Sequence, residues 1–429
     1  MAKIYIKDLG EYIPGKFNSM TLDKLKEFVI VPYHIAWYKS SQSKKVFPLF
    51  VQEISDLNPT NFVVPGILTR NPFFDHSQIK YFIAYMGDKP AGRIMAFIDY
   101  NYNIQHNTET GWFGLFESTD NKEVAFELMD KAAKYLSDNR CKKIIGPAKF
   151  NAGGEIGCLV SGYENKPYFM EPYNAPYYKD YFEDMGFAKE NDWYSMNTDE
   201  LLAGRYMEKI ERLHSRINGT RRDISTTNGF FIRNVNFKNM KKEIRAIRIL
   251  YNEIWNSINH PQQPEMTEKE FDILAAGIKA VALEDLIFIV EKENEPVGVS
   301  VSIPDINEVI SEYDGRGASS GSSFSYNPSR HFFSAKDFKR DFQIYSNIQK
   351  RLRQKNFSGV RFLILGIKEP YRKTGLDASL YYRTFRTAKD LGFKHGSGSQ
   401  LADINTDIIN PMFKLGKRSM TWRVYNFTL

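Results

Sequence analysis

The chain has 429 residues, more than one ordinary hydrophobic core organises, which points to two domains. A hydrophobic fraction of 42% and a charged fraction of 25% are those of an ordinary globular protein, and two cysteines, Cys141 and Cys158, exclude a disulfide framework or a cysteine-built zinc site. The formal net charge of +7 invites an anionic partner, but Arg205, Lys209, Arg212, Arg216, Arg221 and Arg222 read as the solvated face of a helix and its exit, and no nucleic-acid motif accompanies them.

The first residues, MAKIYIKDLGEYIPGKF, carry charges where a signal peptide has its apolar run, and no stretch approaches the roughly 18 apolar residues of a membrane-spanning helix. A reducing, cytoplasmic setting is expected, with peripheral membrane contact left open. Ile79 to Met86 and Gly92 to Asp99 are apolar runs around the turn Gly87 to Pro90, so a β-hairpin is expected. Trp112 to Glu117 follows as a strand. Asp120 and Asn121 then supply capping chemistry for a helix over Glu123 to Asn139, with Val124, Leu128, Ala132 and Leu136 on one face. Lys143 to Gly146 reads as a short buried strand, Pro176 to Met185 as a helix, Trp193 to Met196 as a strand and Glu200 to Ile217 as a helix.

The turn-rich Asn218 to Thr220 and Thr226 to Gly229 mark a boundary, giving units 1–199 and 230–429 around a helical linker 200–229. The second unit repeats the order of the first. Its elements are a strand at Phe230 to Val235, helices at Met240 to Trp255 and Thr267 to Ala282, and a hairpin from Leu286 to Ile303. The apolar strand Gly359 to Ile367, a helix from Asp377 to Leu391, a strand at Lys394 to Gln400, a helix near Thr406 to Leu415 and a strand at Ser419 to Phe427 complete it. Residues 315–329 form a Gly/Ser-rich loop, either a plain insertion or a lid.

The stretch LILGIKEPYRKTGLDASLYYRTF, Leu363 to Phe385, carries the chemistry. A strand runs into a turn and then a helix, whose free N–H groups and partial positive charge suit a pyrophosphate. Gly375 lets the backbone approach phosphates, and Arg372 and Lys373 add positive charge. The carbonyls of Leu365 and Ile367 are available to the amides of an extended cofactor arm. No His/Glu metal spacing and no Gly-x-Ser-x-Gly elbow is present, so neither a metal nor an acyl-serine mechanism is expected.

Here the chain resembles the GNAT superfamily, whose acyl-CoA turn reads Arg or Gln, two residues, Gly, one residue, Gly or Ala. Arg372 and Gly375 match, Asp377 stands where a small residue is expected, and Ala378 follows one position late. Bacterial two-domain members of that superfamily are further resembled in Asn71-Pro72-Phe73-Phe74 with His76, in GWFGLFES, KKIIGPAKFN and MEPYNAPYYKDYFEDMGF, and in YNEIW and EPVGVSVSIPDIN. The resemblance implies an α/β chain of the α+β type: two tandem GNAT-like domains, each a mixed, mostly antiparallel sheet flanked by helices. It implies acyl-CoA as co-substrate, held by Leu365, Ile367, Arg372, Lys373, Thr374, Gly375, Leu376, Asp377 and Ala378.

The first unit has Ser118 to Asn121 after its central strand and no such turn, so it is expected to supply the acceptor side of an interdomain cleft. The tyrosine that many GNAT enzymes use as acid is absent, since Met412 and Phe413 stand there. Glu155 in NAGGEIG, Tyr173, Tyr177 and the neighbouring Tyr178 in EPYNAPYY, and Asp403 are the candidate acid–base groups. His76 and His106 read as structural histidines unless they reach the cleft. The expected activity is direct transfer of an acyl group from acyl-CoA to an amine. A lipid or sphingoid amine acylated by a long-chain donor, as in ceramide-type synthesis, is the alternative acceptor. A catalytically silent acyl-CoA-binding or regulatory protein is the alternative class.

Overall fold

Residues 3–59, 70–150, 153–204, 207–218, 226–227, 229–257, 262–313 and 335–429 are described by a computed structural model. The loop 315–329, the turn Gly219-Thr220 and Arg205, Arg221 and Arg222 lie outside the described residues.

Local chemistry sets the expected elements. The first hairpin pairs Met86 with Lys89 across Gly87 and Asp88, and Gly87 takes the positive φ of 58° that this tight turn requires. The helix Lys122–Asp138 starts where the Asn121 side chain accepts from Glu123 N and Val124 N at 3.0 and 3.2 Å. Asp120 does not cap; it accepts from the Tyr181 hydroxyl at 2.7 Å. In the second half Thr267 and Glu270 close a capping box at the start of Glu268–Val281.

Fifteen strands are described: β1 (Ile4–Ile13), β2 (Phe17–Asn18), β3 (Ser77–Met86), β4 (Lys89–Asp99), β5 (Thr110–Ser118), β6 (Lys143–Gly146), β7 (Cys158–Ser161), β8 (Ala188–Asn197), β9 (Thr226–Thr227), β10 (Phe230–Asn234), β11 (Ile287–Lys292), β12 (Glu295–Pro304), β13 (Gly359–Ile367), β14 (His395–Ala402) and β15 (Lys417–Thr428). They form one sheet in the order β2-β1-β3-β4-β5-β6-β15-β8-β14-β13-β12-β11-β10-β9, with β7 paired to β15. The described sheet contains two parallel pairs, β5 with β6 and β13 with β14.

Between those pairs the two halves of the chain exchange strands. The C-terminal strand β15 lies against β6 of the first half, with Tyr425 opposite Gly146, while β8 of the first half lies against β14 of the second, with Ser397 opposite Asn197. β8 and β15 also pair with each other from Lys417↔Asn197 to Asn426↔Ala188. Trp193 and Trp422 are opposite one another on this ladder and both are buried. The architecture is one continuous sheet of two GNAT-like halves, each flanked by helices, joined at this shared centre.

Two expected helices differ. The stretch from Glu200 to Ile217 is two helices, Asp199–Leu202 and Met207–Asn218, interrupted at Gly204, whose φ of 100° no helix tolerates. The helix expected to end near Leu415 stops at Met412. Strands β1 and β7 and the helix Ala335–Gln354 have no counterpart in the sequence reading. Both cysteines are unpaired and buried.

Candidate functional site

The β13–β14 ladder runs from Gly359↔His395 to Phe362↔Gly398 and goes no further. Beyond it β13 continues to Ile367 against β12 alone, while β14, after a register shift between Gly398 and Leu401, stays paired with β8 through Leu401 and Ala402. The two strands therefore splay apart, and a cavity occupies the opening, lined by Phe362 to Leu365 on one strand and Gly398 to Ala402 on the other. Tyr251 and Trp255, stacked at 4.3 Å on the helix Met240–Ser257, wall one side together with Leu274 and Ile278. Tyr381, Thr384 and Phe385 of the helix Leu376–Asp390 wall the other, and Met412 closes it. Burial raises the Tyr381 hydroxyl above the ordinary phenol range. An edge of backbone with a strand partner on one side, facing an apolar slot, suits an extended ligand that carries amides and an apolar tail.

The turn behind that strand is only partly available. Leu365 lines the slot, but the Ile367 carbonyl accepts from Arg372 Nε at 3.0 Å, so Arg372 folds back on its own strand. Lys373 and Thr374 are exposed, and Thr374 Oγ1 donates to the Tyr371 carbonyl at 2.8 Å. Leu376 and Ala378 are buried; Leu376 packs with Phe230 and Leu380. Asp377 is not the helix N-cap; Gly375 is, in a left-handed conformation with φ 84°. A side chain at Gly375 is therefore expected to cost about 1 kcal/mol of stability with or without a ligand. Thermal melting of Gly375→Ala checks this, and an unchanged midpoint would remove the argument.

The first half has the same strand pair, but among the described residues backbone stands where the slot would open. β5 and β6 pair from Thr110↔Lys143 to Trp112↔Ile145, and Pro147-Ala148 then continue alongside β5 where the strands would part. Ala148 N donates to the Phe113 carbonyl at 3.0 Å, and a Cβ on Gly114 would stand 1.7 Å from the Ala148 carbonyl oxygen. The first half is thus filled by its own backbone. A second cavity lies beside it, and this one holds buried charge.

Glu53 and Arg93, each 3% exposed, pair at 3.2 Å, and Lys149 stands 4.0 Å from Glu53 and 2.7 Å from Asp56. Burial would raise the Glu53 carboxyl, but Lys149 and Arg93 outweigh it and hold it below the usual range. Glu117 receives the hydroxyls of Tyr38 and Tyr178, the latter at 2.9 Å, and faces Lys45 at 3.5 Å. Between the two cavities runs the segment Pro167 to Tyr173, with Met170 lining both. Glu171 accepts from Ser397 Oγ at 2.6 Å and from Ser399 Oγ, while Arg361 Nη1 donates to the Phe169 carbonyl at 2.6 Å. Burial lowers the Arg361 guanidinium.

Of the candidate acid–base groups, Glu155 and Tyr173 line the charged cavity. Tyr173 is 3% exposed and donates to the Tyr163 carbonyl at 2.9 Å. Tyr177 donates to the Ser118 carbonyl at 2.8 Å and does not line either cavity described here; burial raises it, as it does Tyr178. Asp403 accepts from Asp192 N at 3.0 Å and pairs with Lys189 at 3.1 Å, pinning β14 to β8 outside both cavities. The sequence reading missed Glu53, Arg93, Glu117, Lys149, Glu171 and Arg361. Charged residues at alternating strand positions, such as Arg93 in AGRIMAF and Arg361 in GVRFLIL, were the available signal.

His76 joins the halves. Its Nδ1 lies 3.0 Å from Asp99 and its Nε2 3.1 Å from Glu270, beside a Lys269–Asp75 pair at 3.4 Å. Burial would lower the imidazole, but the two carboxylates prevail and raise it to about 10. A raised folded pKa means that this contribution is complete below the ordinary histidine value near 6.5 and disappears as pH rises through about 10. Stability should therefore fall more steeply between pH 7 and 10 in the wild type than in His76→Gln, as read by denaturant titration. Parallel profiles would contradict the pairing.

No protein-family model matches the chain. Protein YghO of Escherichia coli (strain K12) is 26% identical over 271 residues, 62% of this chain and 63% of that relative, so the match spans less than two thirds of its length. A bacterial ceramide synthase of Caulobacter vibrioides is 24% identical over 414 residues, 95% of each chain. Among solved structures, a tandem GNAT protein from the clavulanic acid biosynthesis pathway superposes with a TM-score of 0.50 at 7% identity, covering 99% of this chain and 98% of its own.

Proposed function

We propose that this chain, which has the tandem GNAT fold, is an acyl-CoA-dependent N-acyltransferase that moves the acyl group directly onto an amine. The observation that carries the reading is the β13–β14 splay opening into an apolar slot walled by the middle of the helix Leu376–Asp390. An acyl-CoA would lay its pantetheine arm along Leu363 to Leu365 and its acyl chain among Tyr251, Trp255, Leu274 and Phe385. Lys373 and Thr374, with Gly375 and Asp377, would stand nearest its phosphates. We assign the donor to residues 230–429, the amine to residues 1–199, and the helices between them to the linker 200–229. The reaction is cytoplasmic in this reading, with peripheral membrane contact when the amine is lipidic.

A second reading, long-chain acyl-CoA transferred to a lipid or sphingoid amine, is supported by the relative that matches 95% of the chain and by the aromatic and aliphatic walls of the slot. Among the described residues no helix is long and apolar enough to cross a membrane, so a lipid amine would be taken up from the surface. Titration calorimetry with CoA, acetyl-CoA and palmitoyl-CoA tests both readings. Palmitoyl-CoA binding far more tightly than acetyl-CoA supports the long-chain donor, and equal binding supports a short one. Failure of all three to bind would sink the transferase; binding without turnover of any amine would leave a silent binding protein.

A further inference from the structure

We propose that the charged cavity beside the first half's strand pair is the acceptor site for a long-chain amine, and that Glu155, where that cavity adjoins the β13–β14 slot, is the base that takes the ammonium proton. The assignment rests on the acyl-CoA reading above and adds the acceptor's class and the residue that activates it.

The two cavities adjoin along one short piece of chain. Gly153 and Gly154 line the slot, Glu155 lines the charged cavity, and Met170 lines both. Glu155 is thereby placed between Lys149 on the acceptor side and Arg361 on the donor side, the two cations that feel its charge. Met170 holds the partition in a left-handed backbone conformation, φ 66°, which a non-glycine residue adopts only when its neighbours fix it. They do: Phe169 N donates to Asp305 at 3.0 Å, Arg361 holds the Phe169 carbonyl, and Tyr168 N donates to Glu171 at 2.8 Å. This partition is first-half chain held by Asp305 and Arg361 of the second half, so it is fixed only in the fused molecule.

Elimination singles out Glu155. Glu53 is held by Arg93 and Lys149, Glu117 by Tyr38, Tyr178 and Lys45, and Glu171 by Ser397, Ser399 and a backbone N–H. Asp305 accepts from two backbone N–H groups, of Phe169 and Asn307. Those three glutamates already serve a cation or hydroxyl donors, and Asp305 lines neither cavity. Among the described residues the Glu155 side chain makes no hydrogen bond or ion pair, and Glu155 lines the charged cavity. A base must be free to accept and must lie where the nucleophile meets the thioester.

The cavity's charge and walls select the amine. Four carboxylates (Glu53, Glu117, Glu155, Glu171) against three cations (Lys45, Arg93, Lys149) line it, so an ammonium group is favoured and a second anionic group on the acceptor is not. Tyr33, Val46, Phe47, Pro48, Phe50 and Phe169 supply an apolar wall suited to a hydrocarbon chain. In the reaction Glu155 removes one proton from the ammonium, and the freed nitrogen forms a bond to the thioester carbonyl carbon. The carbon–sulfur bond then breaks, and the second nitrogen-bound proton passes to the leaving thiolate. Amide and CoA thiol result, and Glu155 returns its proton to solvent.

Full-length wild type, Glu155→Gln, Glu155→Asp and Val46→Trp are compared with palmitoyl-CoA as donor and dodecylamine, sphinganine, glucosamine and glycine as acceptors. The expected result is turnover of the first two amines only. In Glu155→Gln the palmitoyl-CoA Kd stays within about twofold, while kcat at pH 7 falls roughly 100- to 1,000-fold. That deficit shrinks as pH approaches the pKa of the amine, and Glu155→Asp recovers part of the rate. Val46→Trp raises KM for dodecylamine with the palmitoyl-CoA Kd unchanged. Unaltered kcat and pH profile in Glu155→Gln, or glycine as the best acceptor, would overturn the assignment alone. A wild type that binds no acyl-CoA overturns the transferase reading and this one with it.

Discussion

Gly398→Phe should abolish palmitoyl-CoA binding, lowering affinity by at least about 100-fold, the loss expected when a ligand's buried segment is displaced. Gly398 is opposite Phe362 at the last rung of the β13–β14 ladder, where the strands begin to part. A Cβ there would meet Met412 Cε at 3.5 Å and Met196 Cε at 3.6 Å, ordinary contact distances, so added bulk enters the slot rather than the backbone. The neighbouring glycines differ. A Cβ on Gly396 would stand 2.7 Å from the Val360 carbonyl, and one on Gly366 2.9 Å from Trp255, so those positions report on packing. Gly398→Phe should keep its melting temperature within a few degrees, whereas Gly396→Phe should not. Calorimetry with palmitoyl-CoA beside thermal melts of both variants decides the matter. Retained binding in a folded Gly398→Phe would mean that the slot is not the donor site.

What the sequence revealed of this site followed the range of the interactions concerned. The strand Gly359–Ile367 and the helix after it are legible because apolar periodicity and a glycine turn are local signals. The exchange of β8 and β15 is not, since Trp422 and Trp193 pair across more than half the chain and nothing local names a strand's partner. The same limit hid the role of Arg372. Its spacing to Gly375 matched a phosphate turn, yet its guanidinium reaches five residues back to the Ile367 carbonyl. Glu155 was legible because two preceding glycines open the backbone around it. Its freedom from partners appears only once Glu53, Glu117 and Glu171 are seen to be engaged.

Those engaged charges carry the second large effect, on stability. Replacing Arg93 with Met is expected to cost about 3 to 5 kcal/mol, because it removes the one hydrogen-bonded cation of buried Glu53 among the described residues and leaves Lys149, at 4.0 Å, and Lys45 to face its charge. Arg93 also donates to the Phe28 carbonyl at 3.2 Å and lies 4.9 Å over the Phe28 ring, so the truncation removes packing as well. Glu53→Gln/Arg93→Met should lose much less than the sum of the two single changes, since removing both charges removes the desolvation penalty. The pH dependence has a definite sign. A depressed carboxyl stabilises the fold above the ordinary carboxylate range and loses that contribution as pH falls through its lowered value. Acid destabilisation should accordingly be shallower in the double variant than in the wild type. Urea titrations of the four proteins at pH 7 and at pH 4 measure the coupling and the slope together. Additive losses would show that Glu53 and Arg93 act independently, and the acceptor cavity would then owe its shape to packing rather than to this pair.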